Sequence, residues 1–385
     1  MAQPKHGVDY DTFTKMANTS MGLEASLRPS TDLINELVHL TITDKLVKRI
    51  KNKSKEPTEK WKEPAKEWRA RQKEWAKTED GQKALKNAEA IWPSIAQKAR
   101  YGDVASWLVW GVSPTLSAPN SQDTQRMIKE YKAHLFGDEL PDDVLKIQFS
   151  RIGGLLNTDF IFVSVNWAGT PDGAPYGGAA STWHNFHDQP GLFHSTLRGK
   201  WNGPEQVLSR LFQGTPVEGC WMTDAFKGIP SPTASKLAAK AKESPLLTNE
   251  MRNILEQERQ LLKANDHPIC WIVTGNNALP VLGENDGFVG DDATMPLRKG
   301  DMMIHIPFYT TIGRRKKPGD AGQPDPREAH MTSHAAADMF KNIIRFCDSP
   351  NVGISYDKTV MESNIAAVFK REENWKRWEP AFTLD

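Results

Sequence analysis

The sequence predicts an α/β protein: a three-layer α/β/α domain with a mainly four-stranded parallel sheet, plus a helical N-terminal region. From about residue 145, short apolar runs alternate with helical patterns, which is typical of parallel α/β domains. The predicted strands are the apolar runs Phe160–Val165, Gly219–Met222, Ile269–Thr274 and Met302–Ile306. Gaps of roughly 30–55 residues between these runs leave room for right-handed crossover connections.

Helical periodicity between and after the runs supports this class. The predicted helices lie at 204–213, 247–264 and 333–346. The domain therefore spans 146–348, with a basic helical N-terminal region at 1–145 and a C-terminal extension at 349–385 that packs on the body. Within the N-terminal region, residues 1–30 lack clear periodicity and are expected to be loosely ordered, whereas 31–100 and a short segment near 123–136 have helical patterns.

Composition excludes several classes of protein. The chain has 385 residues, 38% of them hydrophobic, and a net charge of +1, so no global field indicates a nucleic-acid partner. The cysteines Cys220, Cys270 and Cys347 are far apart and none forms a CxxC pair, which argues against a cysteine zinc site or an iron–sulfur cluster. A reducing, cytoplasmic location is the simplest inference, because two of these cysteines lie in apolar runs and indicate buried thiols. No apolar run is long enough to span a membrane, and we expect a monomer without a membrane partner.

One local stretch is strongly basic. Residues 45–77 contain thirteen basic and five acidic side chains, and Trp61, Trp68 and Trp75 repeat every seven residues. On a helix these tryptophans form one stripe. The stripe indicates either a helix packed on the main domain or a nucleic-acid surface of aromatic and basic residues.

Two of the apolar runs carry polar residues near their ends. Asn166 ends the first run and precedes a turn rich in glycine and proline, while His305 lies in the last run. Buried parallel strands deliver such residues to the carboxyl edge of a sheet, where open α/β folds bind ligands. Taken alone, each residue is as consistent with an asparagine bonded to its own loop or with a core histidine. Together, an amide and an imidazole suit hydrolysis of a bond whose leaving group is a base anion.

The residues around both positions resemble motifs of the uracil-DNA glycosylase superfamily. Motif one reads roughly Gly-Met-Asn-Pro-Gly with a nearby Gly-x-Pro-Phe-Gly, and motif two reads His-Pro-Ser-Pro. The matching segments here are 165–169 (Val-Asn-Trp-Ala-Gly), 173–177 (Gly-Ala-Pro-Tyr-Gly) and 305–308 (His-Ile-Pro-Phe). The resemblance is closest to asparagine-type branches such as the single-strand-selective monofunctional uracil glycosylases. It covers about residues 155–348, and it departs from the pattern where Trp167 and Ile306 replace prolines.

The resemblance implies a monofunctional DNA glycosylase that needs no metal or organic cofactor. Asn166 would orient the attacking water, and His305 would donate a hydrogen bond to the oxygen of the departing base. Trp167 or Tyr176 would stack on the flipped base, and Gly169 lies in the turn whose backbone amides would face it. The basic loop after motif two would hold the DNA, which is the expected partner. Its four consecutive cations are Arg314, Arg315, Lys316 and Lys317.

Asp224 bears on the choice of base. If it reads the base edge, its carboxylate would accept from the exocyclic amine of cytosine and repel O4 of uracil. The expected substrate is therefore a damaged or modified base, such as glucosylated hydroxymethylcytosine in phage DNA (an anti-phage defence) or uracil in repair. The alternative is that Asp224 caps a turn or pairs with Lys227.

Two other functions remain open from the sequence. A non-catalytic nucleotide or DNA binder could use the same fold. A metal-dependent hydrolase could use a histidine-rich segment, whose candidate ligands are His184, His187, Asp188 and His194. Phosphate-loop and dinucleotide-binding motifs are absent from the sequence.

Overall fold

A computed structural model of the protein describes residues 5–21, 78–79, 100–109, 139–166, 208, 210–227, 234–284, 286–307 and 332–369. The structural statements below concern these residues.

The described residues form one mixed six-stranded sheet, which confirms the α/β class. The strands are β1 (Ser106–Trp107), β2 (Phe160–Asn166), β3 (Trp221–Phe226), β4 (Cys270–Thr274), β5 (Gly287–Phe288) and β6 (Met302–Ile306). They lie in the order β1-β3-β2-β4-β6-β5. The four central strands are mutually parallel, and the two short edge strands β1 and β5 run antiparallel to their neighbours.

Helices precede and connect these strands. They are α1 (Tyr10–Asn18), α2 (Tyr101–Val104), α3 (Asp142–Ile152), α4 (Ala234–Glu243), α5 (Pro245–Leu261), α6 (Leu279–Leu282), α7 (Ser333–Cys347) and α8 (Lys358–Phe369), with 3-10 turns at Gly153–Leu155 and Asn276–Ala278. Helix α5 begins where the sequence has strong start signals. Ser244 accepts a hydrogen bond from the Leu247 amide, and Pro245 occupies the first turn, where its missing N–H costs nothing.

Alternate residues of the central strands enter two separate hydrophobic clusters. The first cluster takes strand residues Ile161, Val163, Val165, Trp271, Val273 and Met303 together with side chains of α1, α4 and α5. The second takes Phe160, Phe162, Cys270, Ile272, Met302 and Ile304 together with side chains of α7 and α8. Both faces of the central strands are therefore buried, which explains why these strands read as continuous apolar runs.

The described part of the N-terminal region packs into the same core as the sheet. Phe13 and Met16 of α1 are fully buried in the first cluster. Trp107 of β1 packs edge-on against Trp221, with ring centroids 4.9 Å apart. The expectation of loose order is wrong for residues 10–18, because α1 is a regular helix whose start is capped by Asp9.

The cysteines are buried thiols without disulfide bonds, as the sequence indicated. Burial raises the pKa of Cys347 to about 12 and places the pKa of Cys270 well above its ordinary range. These thiols are therefore unreactive near neutral pH. None of the helices in the described ranges combines the length and apolar character needed to cross a bilayer.

Candidate functional site

The order of the parallel strands creates a crevice at the carboxyl end of β2. The chain passes from β2 to β3 on one side and then to β4 on the other side of β2. In open α/β sheets, ligands bind outside the carboxyl ends of the two strands that flank such a reversal. Here these strands are β2 and β4, which end at Asn166 and Thr274.

Strand register fixes how Asn166 and His305 are arranged along this edge. Asn166 is the last residue of β2 and pairs with Phe226 of β3. His305 of β6 is level with Val273 of β4, and Val273 is level with Val163 of β2. Asn166 therefore lies three residues nearer the carboxyl edge than His305 and two strands away, which separates their Cα atoms by about 14 Å. The backbone brings both predicted catalytic residues to the same end of the sheet, with the end of β4 between them.

His305 carries a buried polar atom that the described residues leave unpaired. Its Nε2 is inaccessible to solvent and has no hydrogen-bond partner among them, whereas its backbone amide donates to Asp286 Oδ1 at 3.2 Å. The hydroxyl of Thr274, at the end of β4, is likewise buried and unpaired within the described part of the chain. An unpaired buried polar atom costs roughly 1–3 kcal/mol, so an atom left in this state is one that a ligand can satisfy.

The turn after β4 holds this edge together. Gly275 has a φ of 71°, a left-handed conformation that favours glycine, and its amide donates to the Ile306 carbonyl of β6 at 2.9 Å. The 3-10 turn Asn276–Ala278 then packs beside β2. The ends of β2, β4 and β6 are thereby fixed relative to one another.

A buried charged network lies beside the end of β3. Glu258 of α5 accepts hydrogen bonds from Trp221 Nε1 at 3.0 Å and Thr223 Oγ1 at 2.7 Å. Its other oxygen lies 2.6 Å from Lys227 Nζ, which also donates to the Asp224 carbonyl at 2.8 Å. Burial lowers the pKa of Lys227, and the neighbouring carboxylates of Glu258 and Asp224 oppose that shift. The network ties β3 to α5 and uses all three donors in structural contacts.

Asp224 lies inside β3 rather than beyond its end. It is fully buried, level with Ser164 of β2, and two residues before Phe226, the partner of Asn166. Its proximity to Lys227 agrees with the alternative in which it has a local structural role. Its role in reading a base stays a prediction.

Several predicted residues lie outside the described residues. They are the base-binding positions Trp167, Gly169 and Tyr176, the cations Arg314, Arg315, Lys316 and Lys317, the alternative metal ligands His184, His187, Asp188 and His194, and the tryptophans of the basic stretch. Of Asn166, only the backbone is described.

A second polar cluster occupies the opposite, amino edge of the sheet. His6 Nδ1 lies 2.5 Å from Asp159 Oδ1, just before β2. The rings of His6 and His267 stack with centroids 3.8 Å apart, and His267 Nε2 lies 3.2 Å from the Thr158 carbonyl. Burial, followed by the neighbouring His6, lowers the pKa of His267. Sequence reasoning missed this cluster because its members are more than 100 residues apart and share no local motif; the one available signal was that Asp159 and His267 closely precede predicted strands.

Comparison of the chain with protein-family models, with curated proteins and with solved structures found no match in any of the three.

Proposed function

We propose that the protein is a monofunctional DNA glycosylase that hydrolyses the N-glycosidic bond of a flipped, damaged or modified base. One observation carries the proposal: Asn166 and His305, the residues of the two glycosylase-like motifs, reach the same carboxyl edge beside the strand reversal, where His305 Nε2 is left unpaired. An amide and an imidazole at that edge supply the two functions that the reaction needs.

The reaction breaks the bond between sugar C1′ and the base nitrogen. The bonding electron pair leaves with the base, and negative charge develops on the base oxygens. His305 Nε2–H donates to a base carbonyl oxygen and stabilises that charge. The Asn166 amide oxygen orients a water molecule that adds to C1′ and releases its proton to solvent. The products are a free base and an abasic site, and the DNA strand remains intact.

The remaining parts of the proposal concern access to the base. The base must leave the stack, at a cost of a few kcal/mol, before these groups reach it. Trp167, Gly169 and Tyr176 after β2 form the base pocket. The cations Arg314, Arg315, Lys316 and Lys317 after β6 grip the phosphates. We place these elements on a three-layer α/β/α domain at 146–348 of a monomeric cytoplasmic protein without a catalytic cofactor.

The basic loop gives the proposal a separate test. Replacing Arg314, Arg315, Lys316 and Lys317 by glutamine should weaken DNA binding and reduce the dependence of log Kd on log salt concentration by up to about four phosphate contacts. The same number of substitutions among exposed lysines elsewhere, such as Lys146 and Lys299, serves as the charge control. Unchanged affinity at low salt would exclude this loop from the interface.

The direct test is release of a base from defined DNA. Purified protein is incubated with single- and double-stranded oligonucleotides carrying uracil, a thymine mismatch, hydroxymethylcytosine or glucosylated hydroxymethylcytosine, with and without a chelator. We expect one of these bases to be released in chelator, with strand breakage only after alkali. DNA binding without release of any base would instead favour the non-catalytic binder, and release abolished by chelator would favour the metal-dependent hydrolase.

A further inference from the structure

We propose that His6, Asp159 and His267 form a binding site for one divalent transition-metal ion, with Zn²⁺ as the simplest occupant. It is independent of the proposed glycosylase reaction, because it lies at the amino edge of the sheet and not at the carboxyl edge. Each of the three residues offers one donor atom, and these atoms lie within 4.8 Å of one another. Two imidazole nitrogens and one carboxylate oxygen are a donor set that suits zinc and related ions.

The carboxylate is fixed and already desolvated. Asp159 is 2% exposed and lies directly before β2. Its Oδ1 lies 2.5 Å from His6 Nδ1, and its Oδ2 accepts from the His6 backbone amide at 3.2 Å. A contact of 2.5 Å requires a proton between the two atoms. A metal ion would displace that proton to the buffer and draw the two atoms to ordinary metal–ligand distances, about 2.0–2.2 Å from the ion.

The second imidazole is oriented in the manner of a metal ligand. His267 Nε2 lies 3.2 Å from the Thr158 carbonyl, a partner that can only accept. The proton therefore resides on Nε2, which leaves the lone pair of Nδ1 available. Metal-ligating histidines generally donate their other ring N–H to a carbonyl or carboxylate in this way.

The site also has space and access. It borders an open cleft of about 290 Å³ lined by His6, Asp9, Thr12, Lys263, Asp266 and His267. The His6 side chain is 35% exposed, so its ring can turn away from the stacked position while Asp159 stays in place. Water from the cleft can complete the coordination sphere.

Binding at this site would fasten the N-terminal segment to the sheet. His6 precedes α1, whereas Asp159 and His267 precede β2 and β4. Since one ion would bridge segments that are far apart in the chain, its binding free energy would add to the stability of the fold. We therefore assign the ion a structural role.

The test uses the full-length protein after chelator treatment and dialysis. Zn²⁺ is titrated by calorimetry, and the thermal midpoint is measured at increasing Zn²⁺. We expect one equivalent to bind and the midpoint to rise by about 3 °C at a Zn²⁺ concentration of 100 times Kd. Absorption of bound Co²⁺ in the visible range reports the coordination geometry.

Variants decide which residues bind the ion. H6Q alters a partly exposed side chain and should fold; it and H267Q should each lower Zn²⁺ affinity at least about 100-fold. H334Q, at an exposed position of α7, and the double variant H184Q/H187Q should retain wild-type affinity. Absence of saturable binding, unchanged affinity in H6Q, or loss confined to H184Q/H187Q would overturn the assignment.

Discussion

The two edges of the sheet treat their buried polar groups in opposite ways. At the amino edge, Asp159 and Asp301 precede β2 and β6 and have every carboxylate oxygen bonded. At the carboxyl edge, His305 Nε2 and Thr274 Oγ1 have no partner within the described residues. Satisfied polar groups stabilise a fold, whereas unsatisfied ones cost stability and are retained where a ligand uses them. The difference assigns stability to the amino edge and function to the carboxyl edge.

The largest predicted effect breaks the amino edge. Asp301 accepts hydrogen bonds from both terminal nitrogens of the buried Arg259, from the Ile269 and Arg298 amides, and from Trp271 Nε1. Asp301→Asn should lower the free energy of unfolding by about 3–5 kcal/mol, because it leaves a buried guanidinium without its counter-charge. Denaturant unfolding measures this change.

A surface pair provides the matched control. Asp291 pairs with Lys299 at 2.7 Å, and both side chains are more than 70% exposed. Asp291→Asn removes the same charge and should change stability by less than about 1 kcal/mol. Equal effects of the two substitutions would refute the structural role assigned to the amino edge.

The next prediction separates activity from stability at the carboxyl edge. His305→Leu should reduce the rate of base release about 10²–10³-fold, because it removes the donor to the departing base. Its free energy of unfolding should stay within about 1 kcal/mol of wild type, since Nε2 has no hydrogen bond to lose among the described residues. A strongly destabilised variant with intact turnover would reverse both assignments.

The smallest predicted effect concerns pH and helix α1. A hydrogen bond from Lys263, together with those from the Thr12 hydroxyl and amide, lowers the pKa of Asp9 from 3.8 to about 2. Because the folded pKa lies below the unfolded one, Asp9 stabilises the protein above about pH 4, and this contribution is lost as pH falls towards 2. The side chain is 60% exposed, so solvent screening limits the effect to at most about 1 kcal/mol.

Asp9→Asn isolates that charge. Asparagine still accepts from the Thr12 amide and so keeps the cap, but it cannot titrate. The stability difference between wild type and variant should therefore disappear between pH 4 and pH 2. A difference that persists at pH 2 would show that Asp9 acts through something other than its charge.

The sequence predicted the central strands because burial on both faces makes them continuous apolar runs. Strand β3 shows where that signal fails. The predicted strand stopped at Met222, but β3 continues to Phe226, because Thr223 bonds to Glu258 and Lys227 pairs with the same carboxylate. Polar residues in a strand look like its end when their buried partners come from a distant helix.

The sites differ in predictability for a similar reason. Asn166 and His305 each end or interrupt an apolar run, so their position at one edge follows from the pattern of parallel strands. The cluster of His6, Asp159 and His267 has no such local pattern, because only the folded chain brings the three segments together. Helix α1 had a usable signal in Asp9, the N-cap that bonds to Thr12, but its short apolar stripe was too weak to identify.

The central claim is that Asn166 positions the attacking water at the carboxyl edge. It is tested most directly by the first-order rate of base release under single-turnover conditions, measured beside DNA affinity for wild type, Asn166→Ala and the neighbouring control Ser164→Ala. We predict that Asn166→Ala lowers the rate at least about 10²-fold with DNA affinity unchanged, while Ser164→Ala retains activity. Wild-type release by folded Asn166→Ala protein would contradict the account.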